Sequence, residues 1–337
     1  MSTHKVIYDT DPGVDDAMAL VFQALHPDIE LLGLTSVFGN GTIDTTTRNA
    51  LYLAAKFAPG VPVARGAAAP LRRRAPEPLA WIHGDNGLGN IELEARADTT
   101  LDPRPAHRFI IDTVRAQPGE VTLIAVGPLT NLALALAEDP QIATLVKQVV
   151  IMGGAFGTDG LLGNVTPAAE ANMLGDPDAA DVVLGAAWPV AIVGLDVTQN
   201  TIMTTAYLAS IRDRGGDAGR FVWDVSRHYE AFHEKSAQLS GTYVHDPSAV
   251  AYVLAPHLYT TRSGPVRVLT DGIAVGQTIQ KPLTMPVPAP DWDSRPACKV
   301  CMGVDAPAML ALYEKTLCGR FKKRFSEASG KRCDARP

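Results

Sequence analysis

Four carboxylates fall within eight residues of this chain: Asp9, Asp11, Asp15 and Asp16 in DTDPGVDD, residues 9–16. Like charges a few ångströms apart raise one another's pKa values and cost stability, so the crowding asks for a compensating charge. All-oxygen ligation suits a hard cation, Ca²⁺ or Mg²⁺. Helix capping is the competing account. Pro12-Gly13 would turn the chain sharply and leave Asp15 and Asp16 in the first turn of a helix, whose positive end favours carboxylates. Capping explains one or two of the four; a cation explains the set. Three other stretches carry groups able to do chemistry. VHDPSAVAY (244–252) places His245 and Asp246 at another helix start. GNVTPAAEANMLGDP (163–177) places Asn164, Glu170 and Asn172 in a loop punctuated by Gly and Pro. Amides and a carboxylate there suit sugar hydroxyls, although taken alone the stretch reads equally well as a polar surface loop. WIHGDNGLG (81–89) holds His83 and an exposed Trp81, and by itself says only mobile loop.

These groups need elements to hold them. KVIYD (5–9), IELLGLTSVFG (29–39), VTLIAVG (121–127), QVVIMGG (148–154) and PVAIVGLDV (189–197) lack polar alternation, as strands buried on both faces do. Helical patterns separate them. DTTTRNALYLAAKFAPG and AHRFIIDTVRAQPG both end in Pro-Gly, and DPDAADVVLGAAW starts with Asp176 as N-cap and Pro177 at the first helical position. The alternation predicts an α/β fold, an open, mostly parallel central sheet flanked by helices, in a single domain spanning 1–319. A basic tail, 320–337, follows. The Pro-rich segment 281–292 is expected to cross the surface before a last strand and helix. Ligands of open parallel sheets bind beyond the carboxyl ends of the strands. Asp9–Asp16, Gly39-Asn40, Val126-Gly127 and Met152-Gly153-Gly154 should converge there.

Bulk properties narrow the function. Of 337 residues, 46% are hydrophobic and 20% charged, which allows a sizeable core. With a net charge of −6, and basic clusters only at 72–74 and in RFKKRF near the end, no nucleic-acid partner is expected. Cys298 and Cys301 form a C-x-x-C, but no second pair follows, so free thiols in a reducing compartment are the reading. MSTHKVIYD enters a strand at once, without the apolar region of a signal peptide, so a cytoplasmic location is expected. The most apolar long window, 121–137, is broken by Gly127-Pro128 and Thr130-Asn131, and no membrane span is expected.

Taken together, the motifs resemble the inosine–uridine preferring nucleoside hydrolases. The pattern D-x-D-P-G-x-D-D after the first strand is joined, in order, by VFGN (37–40), IHGDNG (82–87), AVGPLTNLA (125–133), VVIMGG (149–154), GNVTPAAEANM (163–173), DPDAA (176–180), VGLDVT (193–198) and VHDPSAVAY (244–252). The resemblance runs from about residue 5 to about 315; the tail after Gly319 has no counterpart.

The resemblance implies hydrolysis of the N-glycosidic bond of ribonucleosides to ribose and free base, with one Ca²⁺ at the bottom of the pocket. It implies Asp11, Asp16, Asp246 and the carbonyl of Val126 as metal ligands. Asp15, Asn40, Met152, Asn164, Glu170 and Asn172 would surround the ribose, and Asp9 would be a support. Asp11 would be the general base toward a metal-activated water, and His245 the acid at the leaving base. His83, Tyr229 and His233 would face the base. Two positions depart from the common pattern: Ala171 stands where an aromatic is frequent, and His233 where a tyrosine is frequent. His233 is either a second proton donor or a solvent-facing residue on a mobile helix. A homo-oligomer, dimer or tetramer, is implied by the resemblance alone. Two rivals are an aspartate-nucleophile phosphatase using Asp9 and Asp11, and a nucleoside-binding protein without catalysis. Gly13, where phosphatases carry Thr or Val, argues against the first; the retained Asp11, Asp15, Asp16, His245 and Asp246 argue against the second.

Overall fold

Stretches rich in Val, Ile and Leu form the inner strands of a nine-stranded sheet in a computed structural model of the protein, which describes residues 3–94 and 101–319. In chain order the strands are β1 (His4–Thr10), β2 (Ile29–Ser36), β3 (Val63–Arg65), β4 (Leu101–Asp102), β5 (Val121–Ala125), β6 (Gln148–Met152), β7 (Val190–Val193), β8 (Ile202–Thr204), β9 (Gly241–Tyr243), β10 (Tyr259–Gly264), β11 (Val266–Val268), β12 (Thr278–Gln280) and β13 (Cys298–Val304). The large sheet has the order β10-β13-β7-β6-β5-β1-β2-β3-β4, and all its pairs are parallel except β10 with β13. Two short antiparallel ribbons, β8 with β9 and β11 with β12, stand apart from it.

Helices cover both faces, so successive residues of a strand enter different cores. β1 sends Val6 and Tyr8 to one core and Ile7 to the other; β6 divides Val150 and Met152 from Val149 and Ile151 in the same way. Each fully buried side chain of this size contributes roughly 1.5–3 kcal/mol, which is why the inner strands tolerate so little polarity.

The chain runs from β1 outward through β2 to β4, then returns to the other side of β1 as β5. The order therefore reverses between β1 and β5, and the crevice at their carboxyl ends is the expected ligand site. Asp9 pairs in register with Thr35 and with Ala125, and Ala125 with Ile151, so these strands end at one level.

Several sequence expectations hold locally. Asp176 caps the helix Pro177–Leu184 by accepting from the Ala179 N–H, and the Pro-rich stretch leads into β13 and the helix Ala306–Cys318. Others need correction. The run 189–197 is strand only to Val193; Leu195–Thr198 is a helical turn, because the Asp196 carboxylate accepts from the Phe156 and Thr158 N–H groups and pulls the chain round. Apolar content alone does not distinguish the two. The 81–89 stretch is tied down: Ala80–His83 is a helical turn, and Asn86 and Asn90 side chains accept from the loop backbone. Cys298 and Cys301 are buried free thiols, and burial pushes each up to about 12. The basic tail 320–337 lies outside the described residues. Among the described residues, no helix is long and apolar enough to cross a membrane.

Candidate active site

At the end of β1 the chain turns at Pro12-Gly13 and enters the helix Val14–Leu25 with Gly13 as N-cap. Asp16 closes this turn. One of its oxygens accepts from the Thr10 hydroxyl (2.5 Å) and the Asp11 N–H (3.2 Å); the other accepts from the Gly13 N–H (2.9 Å) and the Asn40 amide (3.0 Å). Capping thus accounts for Asp16, as the local reading allowed. It does not account for its neighbours.

Asp11 Oδ2 accepts from the Asn40 N–H at 2.7 Å, while its Oδ1 is buried without a hydrogen-bond partner. Asp15 Oδ1 is likewise buried and unpartnered. Oxygens of Asp15, Asp16 and Asp246 lie within 4.8 Å of one another, Asp246 arriving as the first residue of the helix Asp246–Leu254. Burial, and then Asp16, push Asp15 up to about 8. Burial followed by the charges of Asp15, Asp16 and Asp11 holds Asp246 well above the usual carboxylate range. Asp11 is raised by burial and then by Asp16; Asp16 is raised by burial and brought back by the Thr10 and Gly13 donors. Three buried carboxylates with oxygens within 4.8 Å of one another fit a cation, and the all-oxygen set suits a hard one. Asp9 stands behind this cluster. Its Oδ1 accepts from Thr35 (2.5 Å) and Asn131 (2.8 Å), and burial raises it to about 7.

Above the carboxylates lies a cavity of about 270 Å³, near the lower end of the ~300–1,000 Å³ common for small-molecule sites. Asp15, Asn40, Val126, Met152, Asn164, Glu170, Asn172, His83, Tyr229, His233, His245 and Asp246 all line it. Asp11 instead lines a smaller cavity of about 120 Å³ behind Asn40 and Asn172. The structure therefore brings these residues to one cavity except Asp11, which lines the smaller one, and Asp16, which joins Asp15 and Asp246 in the close carboxylate cluster; the expected ligand Asp11 is not part of that cluster and Asp15 is.

The shell around the floor is rigid. Glu170 caps the short helix Ala171–Gly175 and accepts from the N–H groups of Asn172, Gly154 and Met173. The Asn172 amide donates to the carbonyls of Val126 (2.7 Å) and Met152 (3.1 Å). Asn164 stands exposed at the rim and accepts from the Ala171 N–H.

The other end of the cavity is made of rings. His83 stacks on Tyr229 at 5.4 Å, and His233 meets Tyr229 and Tyr243 edge-on at 4.3 and 5.0 Å. His233 is 3% exposed, so it faces the cavity and not solvent. Burial, with the other histidines adding, pushes His83 and His245 down to about 3; burial takes His233 to about 4. His245 stands at the N-cap position of its helix without a side-chain capping bond, and its Nδ1 lies 2.8 Å from the Thr198 hydroxyl.

Gln199, Phe232 and Tyr243 also line the cavity, and Thr198 holds His245. Sequence reasoning passed over all four. Tyr243 stands just before VHDP and Thr198 ends VGLDVT, so both lie inside or beside recognised motifs; the packing that gives them roles is not visible there.

A carboxylate floor, an amide shell and a mouth of rings at the switch point of a parallel sheet define a small-molecule enzyme. Comparison with known proteins agrees. The pattern described as inosine-uridine preferring nucleoside hydrolase matches residues 6–311. A probable uridine nucleosidase of Oryza sativa subsp. japonica is 39% identical over 315 residues, covering 93% of this chain and 96% of its own. An inosine-uridine preferring nucleoside hydrolase of Leishmania major is 39% identical over 278 residues, covering 82% and 87%. Among solved structures, a purine-preferring ribonucleoside hydrolase from Gardnerella vaginalis superposes with a TM-score of 0.85 at 35% identity, covering 94% of this chain and 98% of that one. The chain belongs to the inosine-uridine preferring nucleoside hydrolase family. It is a hydrolase acting on N-glycosyl bonds.

Proposed function

We propose that this enzyme hydrolyses ribonucleosides to ribose and free base with a calcium ion at the cavity floor. The observation that carries this is the set of unpartnered carboxylate oxygens beneath a cavity whose far end is aromatic. Ribose hydroxyls suit the first and a planar base the second. Asp11, Asp16, Asp246 and the Val126 carbonyl would hold the ion; that carbonyl already accepts from Asn172 but keeps a second lone pair. Calcium, when bound, supplies positive charge that acidifies a water and orients the ribose diol.

The side chains do the rest. Asp11 takes a proton at its unpartnered Oδ1. Asp15 accepts from the 2′-hydroxyl, and Asn40, Asn164, Glu170, Asn172 and Met152 fix the sugar. Cleavage passes through an oxocarbenium-like ribosyl cation, whose charge the surrounding carboxylates share. When the Thr198 hydroxyl donates to Nδ1, His245 presents Nε2–H to the leaving base. His83, Tyr229 and His233 enclose that base.

A cytoplasmic homo-oligomer completes the reading. Its support is the buried free thiols and the exposed Leu283, Met285 and Val287 on the Pro-rich segment, apolar groups suited to a second copy. The decisive assay offers inosine, uridine and a phosphate monoester. Ribose release from the nucleosides is expected; phosphate release without ribose would overturn the proposal. Asp11→Ala should lower turnover at least about a thousand-fold. Unchanged turnover would remove Asp11 from the reaction.

A further inference from the structure

The smaller cavity of about 120 Å³ adjoins the larger one: Asn40, Leu79, Val165, Ala171 and Asn172 line both. His83, Tyr229, Phe232, His233 and Tyr243 line only the larger, so the two meet at the carboxylate and amide end and not among the rings. Ala171 offers no more than a methyl group at that junction. At roughly 30 Å³ per water-sized group, the smaller cavity has room for about four.

Its walls are mostly carbon, and they are fixed. Pro76, Pro128 and Leu174 complete an apolar lining with Leu79, Val165 and Ala171. Pro128 is pinched between two glycines: a Cβ on Gly39 would come within 3.0 Å of its Cδ, and one on Gly175 within 2.7 Å of its Cγ. On the opposite side, the Leu79 N–H donates to the Asn40 carbonyl at 3.3 Å and the Leu71 N–H to Asp176 at 2.8 Å, which ties down the loop that carries Pro76. The charges at this cavity are negative, a buried Asp11 and an exposed Glu77, and none of the residues lining it is basic.

The shape of a ribonucleoside decides what could enter. The base and C5′ project from one face of the furanose, at opposite ends of the ring, and the diol projects from the other face. A diol on the Asp15 and Asp246 carboxylates and a base among the rings leave one exit, C5′, which points away from the rings. That is the end where the smaller cavity joins. The polar groups there already have partners: Glu170 accepts from the Asn172, Gly154 and Met173 N–H groups, and Asn164 from the Ala171 N–H. We propose that this cavity is a subsite for an uncharged, apolar substituent on C5′, so that the enzyme takes 5′-deoxy-5′-alkylthio ribonucleosides as well as plain ones. The inference rests on the function proposed above. The reaction keeps its balance: the C1′–N bond breaks, water gives its hydroxyl to C1′ and a proton to the base, and the C5′ substituent leaves with the sugar. A 5′-phosphate is refused, because it would meet Asp11 and Glu77 with no cation side chain to answer it.

The test measures kcat/KM for inosine, 5′-deoxy-5′-methylthioinosine, inosine 5′-monophosphate and p-nitrophenyl riboside in the wild type, Leu174→Phe and Ala171→Phe. Leu174 lines the smaller cavity alone and Ala171 stands at the junction, so the two variants fill the space from different sides. Ratios are internal to each protein, and a partly impaired variant still reports. In the wild type the methylthio nucleoside should react at least as fast as inosine, and up to about tenfold faster, the worth of a small group in an apolar pocket. Either substitution should lower that ratio at least about fivefold. The monophosphate should react at least about a hundredfold more slowly than inosine. A wild-type methylthio ratio below one, a smaller change than fivefold in both variants, or a monophosphate that keeps pace with inosine would overturn the subsite and leave a cavity that holds water only. Each of those outcomes leaves the hydrolase proposal standing. A wild type that releases ribose from neither inosine nor p-nitrophenyl riboside would overturn that proposal, and this inference with it.

Discussion

Single residues here owe their roles to one or two partners. His245 is poised by Thr198: the hydroxyl at 2.8 Å from Nδ1 decides whether Nε2 carries the hydrogen that the leaving base needs. His245→Ala should slow uridine and inosine by about 10²–10⁴-fold, the usual worth of general acid–base catalysis. p-Nitrophenyl riboside, whose leaving group needs no proton, should slow by less than about tenfold. Equal slowing of both would take His245 out of the acid role. At this scale the sequence was generous. Asp15, Asn40, Glu170, Asn172 and Asp246 had been named from motif and resemblance, because a charged or amide group at a helix start or strand end stands out in a string of letters. What the string could not divide was the labour among Asp9, Asp11, Asp15 and Asp16. Asp9 is spoken for by Thr35 and Asn131 and Asp16 by its four donors, whereas Asp11 and Asp15 each keep a bare oxygen.

Elements set the distances. Asp11 is seated by two glycines from different strand ends: a Cβ on Gly39 would come within 2.0 Å of its Oδ2, and one on Gly127 within 2.6 Å of its Oδ1. Gly39 also has φ of +155°, which other residues adopt at a cost. Gly127→Ala is the cleaner probe. It should cost about 1–3 kcal/mol in thermal unfolding, as overpacking does, and lower kcat about a hundred-fold, as a displacement of roughly 1 Å does. A variant with the same kcat but a lowered melting temperature would show that Asp11 needs no such seat. The motifs VFGN and AVGPLTNLA contain these glycines, so their presence was legible. Their purpose was not, since a glycine's reason is the atom that approaches it: Asp11 lies 28 residues before Gly39 and 116 before Gly127, and parallel pairing folds the β1 turn against both strand ends.

Over the whole molecule, the buried carboxylates work against the fold unless something balances them. Asp15 sits near about 8 in the folded protein against about 3.9 when unfolded. A folded pKa raised in this way contributes stability below about pH 4 that is lost as pH rises through about 8. A bound cation acts in the opposite sense, because it binds the ionised cluster and stabilises by mass action. Chelation should therefore lower the melting temperature more at pH 8 than at pH 5.5, by about 5 °C or more if the cation is held at a hundred times its Kd. Scanning the protein with and without a chelator at both pH values checks this. An equal response at the two pH values would count against the carboxylates as the cation site.

By itself the sequence determined the periodic and the local. Unbroken apolar runs demanded a two-sided parallel sheet, and carboxylates at helix starts announced a charged site, because both follow from neighbours in the chain. Tertiary structure alone decided which oxygens stay unpartnered, that Leu195–Thr198 leaves its strand to bring Thr198 to His245, and that His233 lines the cavity with its Nδ1 held by the Tyr229 carbonyl. The reason is physical. A hydrogen bond or a tautomer belongs to a pair of groups, and here the partners of Asp246, Thr198 and the β1 carboxylates meet only after the sheet has brought distant strand ends to one edge.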